Sequence, residues 1–135
     1  MEKKDEKIYK LILERRRKFN ELIKSKNYLF KEDIITCPCC AYPKKKEFDI
    51  CPICWWQDEG YADEDVKIIR GGPNGDLSLE QARINFSKTL NCGDTKKLSI
   101  NEKLRVKKLM RLFEELLKNP KKSLANKAFK ELKFF

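Results

Sequence analysis

The chain has 135 residues, with 31 lysines and arginines against 21 acidic residues and no histidine, for a formal charge of +10. That length suits one modest domain with helical extensions. The lack of histidine excludes Ser-His-Asp triads, Cys-His dyads and every metal site that needs an imidazole, while leaving carboxylate bases open. No apolar run approaches 18 residues and the N-terminal stretch MEKKDEKIYK has no apolar segment, so we expect neither a membrane span nor a secretory leader, and a cytoplasmic protein.

The charge is unevenly placed. Residues 1–36 carry 11 basic and 7 acidic side chains, residues 37–92 carry 7 and 9, and residues 93–135 carry 13 and 5. An acidic centre therefore sits between basic flanks. The chain divides accordingly into an N-terminal amphipathic helix at 1–33, a cysteine-rich core at 34–92 and a basic helical segment at 93–135.

Residues 5–26 predict an amphipathic helix, with Ile8, Leu11, Ile12, Phe19, Leu22 and Ile23 on one face. Arg15 falls on that face and is expected to cover it with its aliphatic stem. Ile34-Ile35-Thr36 and Phe48-Asp49-Ile50 are β-prone and each leads into a cysteine turn. Together they predict a small hairpin, with Tyr42–Glu47 as its exposed loop. Val66–Arg70 is a further short strand candidate, and Gly71–Gly75 is a turn.

Ser78-Leu79-Glu80-Gln81 reads as a capping box that starts a helix with Leu79, Ala82, Phe86 and Leu90 buried and a stop at Asn91-Cys92-Gly93. A second box at Ser99–Glu102 starts a helix carrying Val106, Leu109, Met110, Leu112, Phe113, Leu116 and Leu117, ended by Asn119-Pro120. Ser123 is placed as the cap of a last helix, with Leu124, Ala128, Phe129 and Leu132 on one side. Phe134-Phe135 either docks on the core or forms a sticky tail. The fold class is thus α+β and mostly helical: a small zinc-ribbon-like β-hairpin with two CPxC knuckles, flanked by amphipathic helices.

The chemistry lies in the cysteines. Cys37-Pro-Cys-Cys40 and Cys51-Pro-Ile-Cys54 are two C-x2-C turns with ten residues between them. Such turns bring two sulfurs together, and two turns face to face give the tetrahedral four-sulfur cage that zinc prefers. In a reducing compartment metal ligation is the default reading of such cysteines. We therefore assign Cys37, Cys40, Cys51 and Cys54 to one structural zinc ion, with a single iron as the alternative. Structural zinc contributes about 10–16 kcal/mol in finger peptides, enough to decide whether a small centre folds. A redox dithiol wants one such pair beside a βαβ pattern, which is absent. Cys39 is read as a buried thiol, with a spare ligand or a reactive group as alternatives, and Cys92 as a lone thiol.

CPCCAY at 37–42, ICPICWWQDEG at 50–60 and GGPNGDLSLEQARINF at 71–86, with the spacing between them, resemble the bacterial cysteine-rich CPCC family over about residues 37–90. Ala41 departs from that pattern, standing where the family usually has glycine. The resemblance implies a small zinc-dependent domain of accessory or toxin-immunity type. It marks Cys39, Trp56, Asp58, Gly60, Asn74, Ser78, Ala82, Arg83 and Asn85 as pattern positions.

Trp55 and Trp56 follow the last ligand. Packing is the favoured reading, one ring shielding the thiolates and the other lying on the 78–90 helix, with a stacking platform as the alternative. Asp58, Glu59, Asp63, Glu64 and Asp65 lack the spacing of a calcium loop and are read as a solvated acidic loop. The turn at 71–75 lacks the lysine and hydroxyl of a phosphate loop.

Three functions compete. The favoured one is a non-catalytic interaction module, an immunity or accessory protein whose partner is a toxin or complex subunit encoded nearby. The site residues offered for interaction or reactivity are Cys39, Trp55, Trp56 and Asp58. The alternative is a zinc-ribbon nucleic-acid-binding protein using Arg15–Lys18, Lys96-Lys97, Lys107-Lys108 and Lys121-Lys122. An enzyme using Cys39 or Asp58 comes last, since a four-thiolate site leaves no open coordination position.

Overall fold

A computed structural model describes residues 2–60, 63–93 and 97–132, with only the main chain at Asp63. The Phe134-Phe135 ending, Lys96 of one basic pair and the Asp63 side chain lie outside the described residues.

The elements run α1 (Lys3–Ser25), a 3-10 turn at Asn27–Leu29, β1 (Ile34–Thr36), β2 (Pro43–Lys45), a 3-10 turn at Asp63–Asp65, α2 (Leu79–Thr89), α3 (Ile100–Lys118) and α4 (Lys122–Glu131). Among the described residues, four helices and a two-stranded antiparallel hairpin make the α+β, mostly helical fold expected. No described helix is long and apolar enough to cross a membrane.

The hairpin is not built from the strands expected. β1 pairs with Pro43–Lys45, in the register Ile34↔Lys45, Ile35↔Lys44 and Thr36↔Pro43. The segment read as an exposed loop is thus the second strand, and Tyr42 and Lys44 are each only 1% exposed. The reason is that each cysteine turn closes on itself. Cys37 N–H donates to Tyr42 O (2.9 Å) and Ala41 N–H to Cys37 O (3.0 Å), so the chain folds back directly after the first knuckle. The second knuckle repeats this, with Cys51 N–H to Trp56 O and Trp55 N–H to Cys51 O, both 2.9 Å. Ile50 accordingly bridges Gln57, not β1. Val66–Arg70 is not a strand; its first carbonyl accepts the N–H of Glu80 at the start of α2 (2.8 Å).

The helices follow their apolar periods. Ile12, Phe19 and Leu22 of α1 are buried, but Leu11 is 69% exposed. It lies one 100° step from Ile12, at the margin of the stripe. α3 carries a complete capping box between Ser99 and Glu102. α2 has only half of one: Ser78 accepts from Gln81 N–H (3.1 Å), while the Gln81 amide turns forward to Asn85 (2.8 Å). α2 ends at Leu90, whose left-handed φ of 63° closes the helix before Asn91-Cys92-Gly93. Ser123 does not cap α4; Lys121 holds the N-cap position without a side-chain bond, and Ser123 falls inside the first turn.

One core joins the three segments. Tyr42 lies at its hub, with ring centroids 5.7 Å from Phe19 of α1, 6.4 Å from Phe86 of α2 and 6.3 Å from Phe113 of α3. Phe113 meets Phe129 of α4 edge-on at 5.4 Å. Aromatic pairs in these geometries add about 0.5–1.5 kcal/mol each beyond area burial. The basic C-terminal helices are therefore packed on the cysteine centre through Tyr42, two residues past Cys40 of the first knuckle.

Candidate metal centre

All six cysteines are buried and none forms a disulfide. Four of them converge. The Sγ atoms of Cys37, Cys40, Cys51 and Cys54 lie within 4.8 Å of one another, with Cys37–Cys54 at 3.6 Å and Cys40–Cys51 at 3.8 Å. A tetrahedral ion with bonds of about 2.3 Å to sulfur sets its ligands about 3.8 Å apart. The four sulfurs thus form a cage able to hold one metal ion.

Burial opposes ionisation at Cys40 and Cys54 and holds both well above the usual thiol range. Against the same burial, hydrogen bonds from the other three thiols hold Cys37 well below it. Four crowded sulfurs cannot all ionise together without a cation, and a divalent metal supplies that charge.

The local fold explains the convergence. The residue after the second cysteine of each knuckle takes a positive φ, 65° at Ala41 and 73° at Trp55. That left-handed step turns the chain back and lets both sulfurs of a knuckle point the same way. The glycine usual in the family pattern at position 41 is the residue this conformation favours. Ile53 N–H also reaches Cys51 Sγ at 3.4 Å.

Three arginines hold the outer faces of the knuckles, and only one of them stood among the pattern positions. Arg83 of α2, 1% exposed, donates Nε–H to Pro38 O (2.8 Å) and Nη1–H to Tyr9 Oη (2.7 Å). Arg15 of α1 gives two bonds to Cys40 O (3.0 and 2.7 Å), with its guanidinium 4.4 Å from the centre of the Tyr42 ring. It lies on the apolar face as expected, but its head is a structural donor. Arg105 of α3 donates to Pro52 O at 2.8 Å. Each knuckle proline carbonyl therefore accepts from a guanidinium. The placement also puts cationic groups around a cluster that is anionic once loaded.

The remaining expected residues fall near this centre without joining the four sulfurs. Cys39 is fully buried; burial pushes its thiol up, offset in part by a hydrogen bond with Cys54. Cys92 donates its N–H to Cys54 O (2.9 Å), and burial pushes its thiol up to about 12. Trp56 is buried in the core and Trp55 is half-buried. Asp58 is a turn former: its Oδ1 accepts from Gly60 N–H (2.9 Å), and Gly60 has φ 72°.

Asn74 and Asn85 were pattern positions without a role. Asn74 clamps the chain leaving the second knuckle, accepting from Gln57 N–H (3.0 Å) and donating to Gln57 O (2.7 Å) and Glu59 Oε1 (2.6 Å). Glu59 and Asp65 of the acidic loop also serve structure, Glu59 O accepting from Arg70 (2.7 Å) and Asp65 pairing with it at 3.7 Å. Asn85 donates to Cys92 O at 2.9 Å and so ties α2 to the second knuckle. The basic pairs are partly engaged as well: Arg17 bridges Glu14 and Glu21, and Lys108 pairs with Glu131.

Searches of curated proteins and of solved structures return no match to this chain. The family model described as cysteine-rich CPCC matches residues 35–104, which includes both knuckles, α2 and the first turn of α3. With its two knuckles, the Asn74 clamp and that match over 70 of 135 residues, the chain belongs to the cysteine-rich CPCC family.

Proposed function

We propose that Cys37, Cys40, Cys51 and Cys54 hold a single zinc ion, and that the protein is a non-catalytic interaction module of immunity or accessory type. The observation that carries this reading is the closure of the cage. All four ligand sulfurs are 0% exposed and the donor set is sulfur alone. A metal so enclosed keeps no position for water or substrate, so its contribution is to folding. The zinc centre then holds α1, α2 and α3 in a fixed relation, through Arg15, Arg83 and Arg105, and the surfaces so fixed are what a protein partner reads.

Elemental analysis of the purified protein tests the metal, and distinguishes zinc from iron. Co-expression with the products of adjacent genes tests the module, which predicts a stable complex with one of them. Two results would weigh against this reading. One is retention of the protein on RNA or DNA with a steep salt dependence. The other is loss of phenotype on Cys39→Ser with metal content intact, which favours an enzyme.

A further inference from the structure

Among the described residues, the outer edge of β1 is open. Lys46 N–H donates to Asp33 O and Cys37 N–H to Tyr42 O (both 2.9 Å), which fixes positions 33, 35 and 37 as those facing β2. By the alternation of an antiparallel ladder, the N–H and C=O groups of Ile34 and Thr36 turn outward. None of these four groups finds a main-chain partner among the described residues. Thr36 adds a second observation: it is only 6% exposed, and its hydroxyl is buried without a hydrogen-bond partner.

A groove of about 460 Å³ lies along this edge, lined by Arg16, Asn20 and Lys24 of α1, by β1 itself, and by Asp58 and Gly60. A second depression of about 470 Å³ continues it past Lys24 and Ile34 toward Asn27 and Asp33. Unpaired strand edges are templates for a further strand. Arg16, Asn20 and Lys24 recur at i, i+4 and i+8, a span of about 12 Å. Alternate residues of an added strand recur every ~6.6 Å, so positions i, i+2 and i+4 span about 13 Å. The two repeats match.

We propose that this edge receives an extended segment of a protein partner as a third strand, with acidic side chains four residues apart opposite Arg16 and Lys24 and a polar one between them opposite Asn20. The proposal rests on the interaction-module reading and supplies its surface. A second copy of the chain is the less suited occupant, because each copy carries +10 and presents the same cations along this edge.

The test titrates the isotope-labelled, metal-loaded protein with the nine-residue peptide TVEVTVEVT, whose glutamates fall at its third and seventh positions. The expected result is shifted and exchange-protected amides at Ile34 and Thr36. Lys24→Glu weakens binding at least about tenfold, as does replacing both glutamates by lysine. Ile34→Pro removes one outward N–H without touching the β1–β2 ladder, and abolishes binding. Unchanged β2 signals and metal content show that both variants fold. No shift at Ile34 or Thr36 overturns the proposal, as does a peptide-free dimer paired through β1. The two readings fail separately. A gene-neighbour partner that binds Lys24→Glu and Ile34→Pro as tightly as the parent refutes the edge and leaves the module standing. If no partner binds at all, the module reading fails, and the peptide titration still decides the edge.

Discussion

Arg83→Met separates a merely structural arginine from one that compensates the charge of the metal cluster. Methionine keeps much of the apolar volume of the side chain. The substitution removes the bonds to Pro38 O and Tyr9 Oη, at 2.8 and 2.7 Å. Hydrogen bonds from charged donors contribute about 1.5–3 kcal/mol each, and a buried carbonyl left without a donor costs about 1–3 kcal/mol. Against this, a buried guanidinium carries a desolvation penalty of several kcal/mol, which its removal relieves. The loaded cluster, four thiolates around a divalent ion with a charge of roughly −2, offsets that penalty; the metal-free thiols, with Cys40 and Cys54 protonated, offset it less. We therefore expect Arg83→Met to destabilise the loaded protein by about 2–4 kcal/mol and the metal-free protein by clearly less. By linkage, the difference appears as weaker metal binding, about tenfold for each 1.4 kcal/mol. Urea unfolding with and without chelator measures both losses, and chelator competition measures the affinity. Equal losses in the two forms, with unchanged affinity, would refute the compensating role.

Three further outcomes follow from the same geometry. Ala41→Gly relieves a left-handed residue at φ 65° and should raise the denaturant midpoint by the equivalent of about 1 kcal/mol; no change, or a lower midpoint, would show that the knuckle turn is unstrained. Asn74→Ala removes the clamp on Gln57 and Glu59 and should destabilise by about 2–3 kcal/mol, with hydrogen exchange accelerated first at 57–60; uniform exchange across the chain would contradict a local role. Metal uptake should release protons, because burial holds Cys40 and Cys54 protonated at neutral pH in the metal-free chain. Affinity then rises with pH and falls as the medium is acidified, and uptake without proton release in a weakly buffered titration would exclude four-thiolate ligation.

The helices and the four cysteines that converge were legible in the sequence, and the hairpin was only half so. α2 and α3 announce themselves by a serine cap followed by an apolar period, and two CPxC turns leave little choice of ligands. β2 is hidden because Tyr42-Pro43-Lys44-Lys45 looks like a polar loop. It is a strand because the knuckle before it folds the chain back onto β1, and because Lys44 turns its ammonium onto the carbonyl of Phe48 and so satisfies it inside the fold. Arg83 enters the sequence reading only as a pattern position of the resemblance, and Arg105 not at all. Arg83, however, lies between Leu79 and Phe86 on the buried stripe of α2, and a cation at that position signals a buried acceptor. Leu11 shows the opposite error, an apolar residue at the margin of a stripe that stays exposed. Asn74 gave no signal beyond its place in the turn and in the resemblance, because its partners Gln57 and Glu59 lie seventeen and fifteen residues upstream.

The central claim, one zinc ion held by four buried thiolates, is tested most directly by X-ray absorption at the zinc edge on the purified protein, with elemental analysis of the same sample. The account predicts one zinc per chain and a first shell of sulfur alone at about 2.3 Å. A shell containing oxygen or nitrogen, or well under one zinc per chain, would contradict it.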